Sequence, residues 1–304
     1  DLKLKVNEGG RLYVLPCIAG HVGADTAGVI LAEEPQKQDS MTLLVDVGTN
    51  AEIVLGDRNR LLACSSPTGP AFEGAQISSG QRAASGAIER VRIDPDTLEP
   101  KFKVIGSELW SDKSGFQEEI VNFGVTGICG SGIIEVVAEM YLAGIITADG
   151  IIDGSLGKKT KRVVEDGRTF SYILSVGGSK TNNLQTTSPI LITQNDIRQI
   201  QLAKAALYAG VKLLMDKLGI DKVDRIRLAG AFGSHISVRH AMALGLIPDC
   251  ILDQVSSAGN AAGTGARIAL LNQHSRERIE HLVTQIEKIE TAMEPKFQEY
   301  FVDA

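Results

Sequence analysis

The stretch Leu43-Leu-Val-Asp46-Val-Gly48-Thr49-Asn50 runs an apolar segment onto a carboxylate, then turns through glycine into a second apolar segment at 51–55. Gly48 permits a close backbone approach, and the amides of Thr49 and Asn50 can point at an anion. Asp46, at the strand end, could hold a magnesium ion or orient a water toward a phosphate. A plain β-hairpin with an Asp turn would carry the same residues.

A second stretch, Ile226-Arg-Leu-Ala-Gly230-Ala231-Phe232-Gly233-Ser234, takes a strand into glycines at a helix start and finishes downstream on Leu244-Gly-Leu-Ile-Pro248. Such a junction lets backbone lie flat against a planar or phosphorylated ligand, and it is also common in any α/β sheet. The third, Gly259-Asn260-Ala-Ala-Gly263-Thr-Gly265-Ala266, spaces small residues so that another helix can come close. It suits simple packing and a hinge equally.

Other patterns carry less. Residues 127–132 read G-x-x-G-x-G, the reverse of the dinucleotide fingerprint, and no strong strand precedes them. Residues 177–181 have phosphate-loop residue types without the G-x-x-x-x-G-K frame. The five histidines form no H-x-x-x-H or H-E-x-x-H pair, which argues against zinc, and no G-x-S-x-G elbow is present. Cys17, Cys64, Cys129 and Cys250 are too far apart for a C-x-x-C pair, so they read as buried, inert thiols in a reducing, cytoplasmic compartment.

These motifs need a scaffold. Apolar and periodic segments predict strands at 11–18, 41–47, 51–56, 61–65, 87–93, 102–105 and 225–229. Helices are expected at 24–32, 131–143, 194–218, 238–243 and 259–271, with a tail helix at 275–293 packed on the body. In the longest helix, Ile197, Ile200, Ala203, Leu207, Val211, Leu214 and Leu218 share a face; Thr193 and Asp196 form its capping box and Gly219 stops it. Strands preceding helices give an α/β protein. The formal net charge of −6 argues against nucleic acid or anionic lipid as the main partner, and no segment approaches a membrane span. Glycine, at 32 of 304 residues, exceeds the usual ~7% and points to tight turns and close backbone contacts. A start at Asp1 suggests a processed or cut chain.

The order of these motifs resembles the second lobe of the superfamily of acetate and sugar kinases, heat-shock chaperone ATPases and actin. Within that superfamily the chain is most similar to the ATP-dependent reductive activators of corrinoid enzymes. The likeness rests on Leu15-Pro-Cys-Ile-Ala-Gly-His-Val-Gly-Ala-Asp25-Thr26, Gly69-Pro-Ala-Phe-Glu73-Gly74-Ala, Thr126-Gly-Ile-Cys-Gly-Ser-Gly-Ile-Ile134 and Ile192-Thr-Gln-Asn-Asp-Ile-Arg198.

The resemblance implies a ribonuclease H-like or actin-like ATPase lobe, a mixed sheet flanked by helices, with a C-terminal helical tail. It places the end of a first lobe and a connecting segment at 1–38. The second lobe falls at 39–272, with inserted hairpins at about 87–125 and 153–188, and the tail at 273–304. The implied ligand is ATP or ADP with Mg2+. Asp46 is then the magnesium or water-orienting carboxylate, and Gly48, Thr49 and Asn50 bind phosphate. Gly230, Ala231, Phe232 and Gly233 cover the adenosine, Glu73 reaches the ribose or base, and Asp25 is a second acidic group or a helix N-cap.

Full-length relatives in this group carry an N-terminal [2Fe–2S] domain and a first phosphate hairpin. This sequence has no C-x4-C-x2-C run and one such hairpin. The expectation is therefore a C-terminal portion with half an ATP site, weak in ATP hydrolysis alone. It would belong to a protein that drives an electron onto the cobalt(II) of a corrinoid protein. A small-molecule kinase of the same superfamily and a non-catalytic nucleotide-sensing or assembly module are the competing readings, and a homodimer is left open.

Overall fold

Residues 42–47 and 51–56 are almost wholly apolar, so a strand made of either must be covered on both faces. The computed structural model, which describes residues 5–7, 9–177 and 188–304, meets that demand with helices on both sides of a central sheet. Helix α1 (Ala24–Glu33) comes first, followed by the meander β1 (Thr42–Val47), β2 (Ala51–Gly56) and β3 (Leu61–Ser66). A first insertion contains β4 (Ala87–Ile93), β5 (Pro100–Val104), the short α2 (Phe116–Glu119), β6 (Gly127–Ile128) and α3 (Gly130–Leu142). A second contains β7 (Val163–Asp166), β8 (Thr169–Ser175) and β9 (Ile190–Thr193). The chain returns to the sheet through α4 (Gln194–Leu218), β10 (Arg225–Ala229), α5 (Gly230–His235), α6 (Val238–Ala243), β11 (Val255–Gly259) and α7 (Ala261–Leu271). Helix α8 (Gln273–Leu282), strand β12 (Glu287–Lys288) and helix α9 (Pro295–Asp303) close it.

The central sheet has the order β11-β10-β1-β2-β3-β12. Strand β10 runs parallel to β1 and β11, β2 runs antiparallel to β1 and β3, and β12 runs parallel to β3. Leu43, Val45, Ile53 and Leu55 face one way, into a core with Leu207, Val211 and Leu214 of α4. Leu44, Val54 and Ala63 face the other, against Ala27, Ile30 and Leu31 of α1, Ala269 of α7 and Ile279 of α8. This is the mixed, two-sided α/β lobe expected from the motif order.

Helix α4 has the predicted bounds and capping box: Thr193 accepts from the Asp196 N–H, Asp196 accepts from the Thr193 N–H, and Gly219 ends it in the left-handed region. The two insertions are joined to each other. Tyr172 is fully buried and donates its hydroxyl to the Leu98 carbonyl at 2.9 Å, while Arg162 donates to the Glu99 carboxylate at 2.7 and 2.9 Å.

Five expectations change. Residues 11–18 form no strand; Leu12 and Val14 stay exposed, Cys17 is exposed rather than buried, and Tyr13 is tied to α8 through Glu280 at 3.0 Å. The small-residue helix begins at Ala261, because 255–259 pairs along β10 as β11. The helix expected at 275–293 is divided into α8 and a short edge strand, with Ile286 and Ile289 buried against the body. Asp25 is not the N-cap of α1: Gly23 holds that position, and Asp25 sits in the first turn accepting from the Thr26 N–H at 2.8 Å. Most of the phosphate-loop-like run at 177–181 lies outside the described residues. No helix among the described residues is long and apolar enough to cross a membrane.

Candidate functional site

The parallel pairing of β1 with β10 sets Asp46 directly beside Ala229. The next residue, Gly230, therefore starts α5 against the Asp46 carboxylate. Its φ is +77°, a conformation that glycine adopts without penalty. A β-carbon there would stand 2.5 Å from Asp46 Oδ1. Two motifs separated by 184 positions along the chain, 46 and 230, thus meet at one point.

On the other side of β1, the hairpin register places Glu52 opposite Asp46. Burial pushes the Asp46 carboxyl above its usual range, and the charge of Asp25 raises it further. Burial likewise raises Glu52; the Ser65 hydroxyl donating to it at 3.2 Å opposes this, while Asp25 and Asp46 add to the rise. Three carboxylates, from the first turn of α1, the end of β1 and the start of β2, thus act on one another. The Asp46 carboxylate has no hydrogen-bond or ion-pair partner among the described residues. Such a set repels itself unless a cation or protons enter it.

The hairpin turn is held from behind. Thr68 Oγ1 donates to the carbonyls of Gly48 and Thr49 at 3.2 and 3.3 Å, and the Gly69 N–H donates to the Thr49 carbonyl at 2.9 Å. Thr49 and Asn50 remain exposed. The turn of 3-10 helix at Pro70–Glu73 brings Glu73 to the same hairpin, where Thr49 Oγ1 donates to its Oε1 at 3.3 Å. The structure so gathers Asp25, Asp46, Gly48, Thr49, Asn50, Glu73 and Gly230 around the tops of β1, β2 and β10. A β-carbon on Gly233 of α5 would overlap the Leu228 carbonyl of β10. The side chains of Ala231 and Phe232 lie outside the described part.

The third motif is a backbone contact. A β-carbon on Gly265 of α7 would overlap the Gly28 carbonyl of α1, and one on Gly28 would stand 2.9 Å from the Ala262 carbonyl. Glycine at both positions lets the two helices touch main chain to main chain.

Sequence reasoning missed Glu52. The signal was present: in a hairpin whose strands end at 47 and begin again at 51, the residue facing position 46 is position 52. As for metals, no three His, Cys, Asp or Glu side chains among the described residues converge tightly enough to hold an ion unaided. That donor set suits Mg2+, which is commonly bound by one or two carboxylates together with phosphate oxygens and water. It does not suit an iron–sulfur cluster, since Cys64 and Cys129 are separately buried and Cys17 and Cys250 lie elsewhere.

The chain is 34% identical to the corrinoid activation enzyme RamQ of Eubacterium limosum, over 99% of this chain and 48% of that protein. It is 26% identical to the [Co(II) methylated amine-specific corrinoid protein] reductase of Methanosarcina barkeri, over 92% of this chain and 47% of that protein. The chain therefore spans about half the length of the curated relatives it matches. A solved structure, a reductive activator for a corrinoid, iron–sulfur protein, superposes with a TM-score of 0.81 at 34% identity, covering 96% of this chain and 44% of that one. Residues 40–304 match the family profile described as the C-terminal domain of RACo, the ASKHA domain, a nucleotide-binding type of fold, and the chain belongs to that family.

Proposed function

We propose that this chain is the nucleotide-binding portion of an ATP-dependent reductive activator, in which ATP hydrolysis drives reduction of a corrinoid protein's cobalt from Co(II) to Co(I). The observation that carries the reading is the flush contact of Gly230 with the Asp46 carboxylate: it joins a phosphate-type hairpin and an adenosine-type glycine turn at one point. The activities of the relatives, corrinoid activation and corrinoid protein reduction, support the same conclusion.

In this reading the exposed turn at Thr49 and Asn50 receives phosphate oxygens through backbone N–H groups, as glycine-containing turns do. Asp46 holds the magnesium or aligns a water, and Asp25 and Glu52 complete the negative field that draws the cation. Bound Mg2+ would neutralise phosphate charge. Glu73 fixes the Thr49 hydroxyl and reaches toward the sugar or base, while Gly230 to Gly233 lie against the adenosine. Water added to ATP yields ADP and phosphate. Cobalt(II), as substrate, would take up one electron to become cobalt(I), the electron coming from an iron–sulfur cluster, the donor that the resemblance implies.

The test is a MgATP titration paired with a corrinoid-reduction assay, in the intact protein and in its Asp46→Ala variant. ATP-dependent formation of Co(I) that vanishes in the variant supports the proposal. Phosphate transfer to a small molecule without cobalt reduction would instead favour a kinase, and nucleotide binding with neither activity would favour a sensing module.

A further inference from the structure

Away from the hairpin, the structure contains a buried polar chain that the proposed reaction does not use. Strand β4 pairs with β5 along its length on one edge, but with β6 only at Ala87 and Ile88 on the other. The open edge is completed by two side chains of α3, one helical turn apart. Glu135, fully buried, accepts from the Val91 N–H at 2.9 Å, from Arg90 Nη1 at 2.8 Å and from Arg92 Nη1 at 2.6 Å. Glu139 accepts from the Ile93 N–H at 2.9 Å. Burial opposes ionisation of Glu139, yet the hydrogen bonds of His240 and Ile93 and the nearby charge of Arg92 hold its carboxyl below the usual range.

The other oxygen of Glu139 meets His240 Nε2 at 2.8 Å, and the His240 Nδ1 meets Ser237 Oγ at 2.7 Å. His240 is buried in α6 and lies 4.0 Å from the Glu135 carboxylate. Ser237 is the N-cap residue of α6, yet its hydroxyl caps no helix N–H and bonds the ring instead. Ten positions earlier in the chain, Gly230 touches Asp46. One imidazole therefore fastens the α5–α6 unit, which begins with the glycine turn, to the open edge of β4 in the insertion.

We propose that His240 is a positioning residue of the nucleotide site: bonded to Glu139, which accepts from Ile93, and lying beside Glu135, which accepts from Val91, it couples the seating of the Gly230–Gly233 turn to the hydrogen bonding of Val91 and Ile93 in the inserted β4–β5 hairpin. The proposal rests on the nucleotide reading above. Its consequence is that nucleotide at the turn changes protection of those two strand amides, although they belong to a different sheet from the site.

Hydrogen exchange of the peptide containing residues 87–93, with and without saturating MgATP, tests this on the full chain, with occupancy followed by calorimetry. In the parent protein MgATP should alter exchange at Val91 and Ile93 by about fivefold, the lower end of ordinary coupling between sites. His240→Ala should lose that response, whereas His240→Gln, which can still donate to Glu139, should retain it. A purely structural histidine would lower stability in both variants and would not sort them this way. If His240→Ala loses its cooperative unfolding transition, Glu139→Ala, which removes the link between His240 and Ile93 altogether, serves instead and should also lose the response. Binding without any change at Val91 and Ile93, or an undiminished response in a folded His240→Ala protein, overturns the coupling alone. Absence of MgATP binding by the parent chain overturns the nucleotide reading, and the coupling with it.

Discussion

Gly230 and Asp46 are in contact so close that a methyl group on the first would press on the carboxylate of the second, 2.5 Å from its Oδ1. The pairing of β1 with β10 makes this contact unavoidable, because Ala229 stands beside Asp46 in the ladder. The turn and the acidic hairpin are therefore one site, and a change in either is felt by both.

Replacing Gly230 by alanine should displace Asp46 and strain the backbone at once. A non-glycine residue at φ +77° costs on the order of 1–3 kcal/mol where the surroundings hold it there. Chemical denaturation should show that loss, and calorimetry should show MgATP affinity down by more than about tenfold, since 1.4 kcal/mol is a factor of ten. Normal affinity in a folded Gly230→Ala protein would detach the turn from the nucleotide.

Asp46 and Glu52 should make the protein less stable at neutral pH than it would be without their charge. Both carboxyls are raised, so the folded state binds their protons more tightly than the unfolded chain does. The penalty is full above the raised folded values. It fades as pH falls through them, and it is gone below the ordinary carboxyl values near ~3.9 and ~4.3. Asp46→Asn and Glu52→Gln should accordingly raise Tm at pH 7 and leave it unchanged at about pH 3.5. Melting curves at the two pH values decide it; a lower Tm for Asp46→Asn at pH 7 would show a partner that its geometry does not reveal.

Gly265→Ala should force α1 and α7 apart, because its β-carbon would overlap the Gly28 carbonyl. Overpacking of this kind costs about 1–3 kcal/mol. Gly20 has open space around its β position and serves as the control, with Gly20→Ala close to neutral. Equal effects at both positions in a denaturant titration would contradict the backbone contact.

Tyr172→Phe tests whether the two insertions fold as one body. It removes the donor to the buried Leu98 carbonyl, and an acceptor left unpaired costs about 1–3 kcal/mol. Faster hydrogen exchange in both β4–β5 and β7–β8 would follow from joint folding. Loosening confined to β8 would argue that the insertions are independent.

Much of the scaffold could be read from sequence because local and global signals agree there. In α4 a capping box, a long apolar stripe and a terminal glycine all point to the same helix. Strand β1 is apolar enough to demand burial on both faces, and the glycines after β1 and β10 mark both turns of the site. What escaped depends on long-range pairing. β11 is Val-Ser-Ser-Ala-Gly, with too little apolar character to announce a strand, and it exists because β10 offers it a parallel edge. In the tail, Ile286 and Ile289 have helical spacing, but the open edge of β3 takes residues 287–288 as a strand. Residues 11–18 carry the apolar run Leu12-Tyr13-Val14-Leu15, yet no strand among the described residues pairs with them. Glu52 needed register arithmetic, and the link from Glu139 to His240 joins residues 101 positions apart that no local pattern connects.

The central claim, that the Asp46 hairpin and the Gly230 turn form one MgATP site, is tested most directly by following backbone amide resonances of the chain during MgATP titration. The account predicts shifts concentrated at Gly48, Thr49, Asn50 and Gly230 to Gly233 that saturate with a single dissociation constant and vanish in Asp46→Ala. Shifts that fall elsewhere, or that survive unchanged in Asp46→Ala, would contradict it.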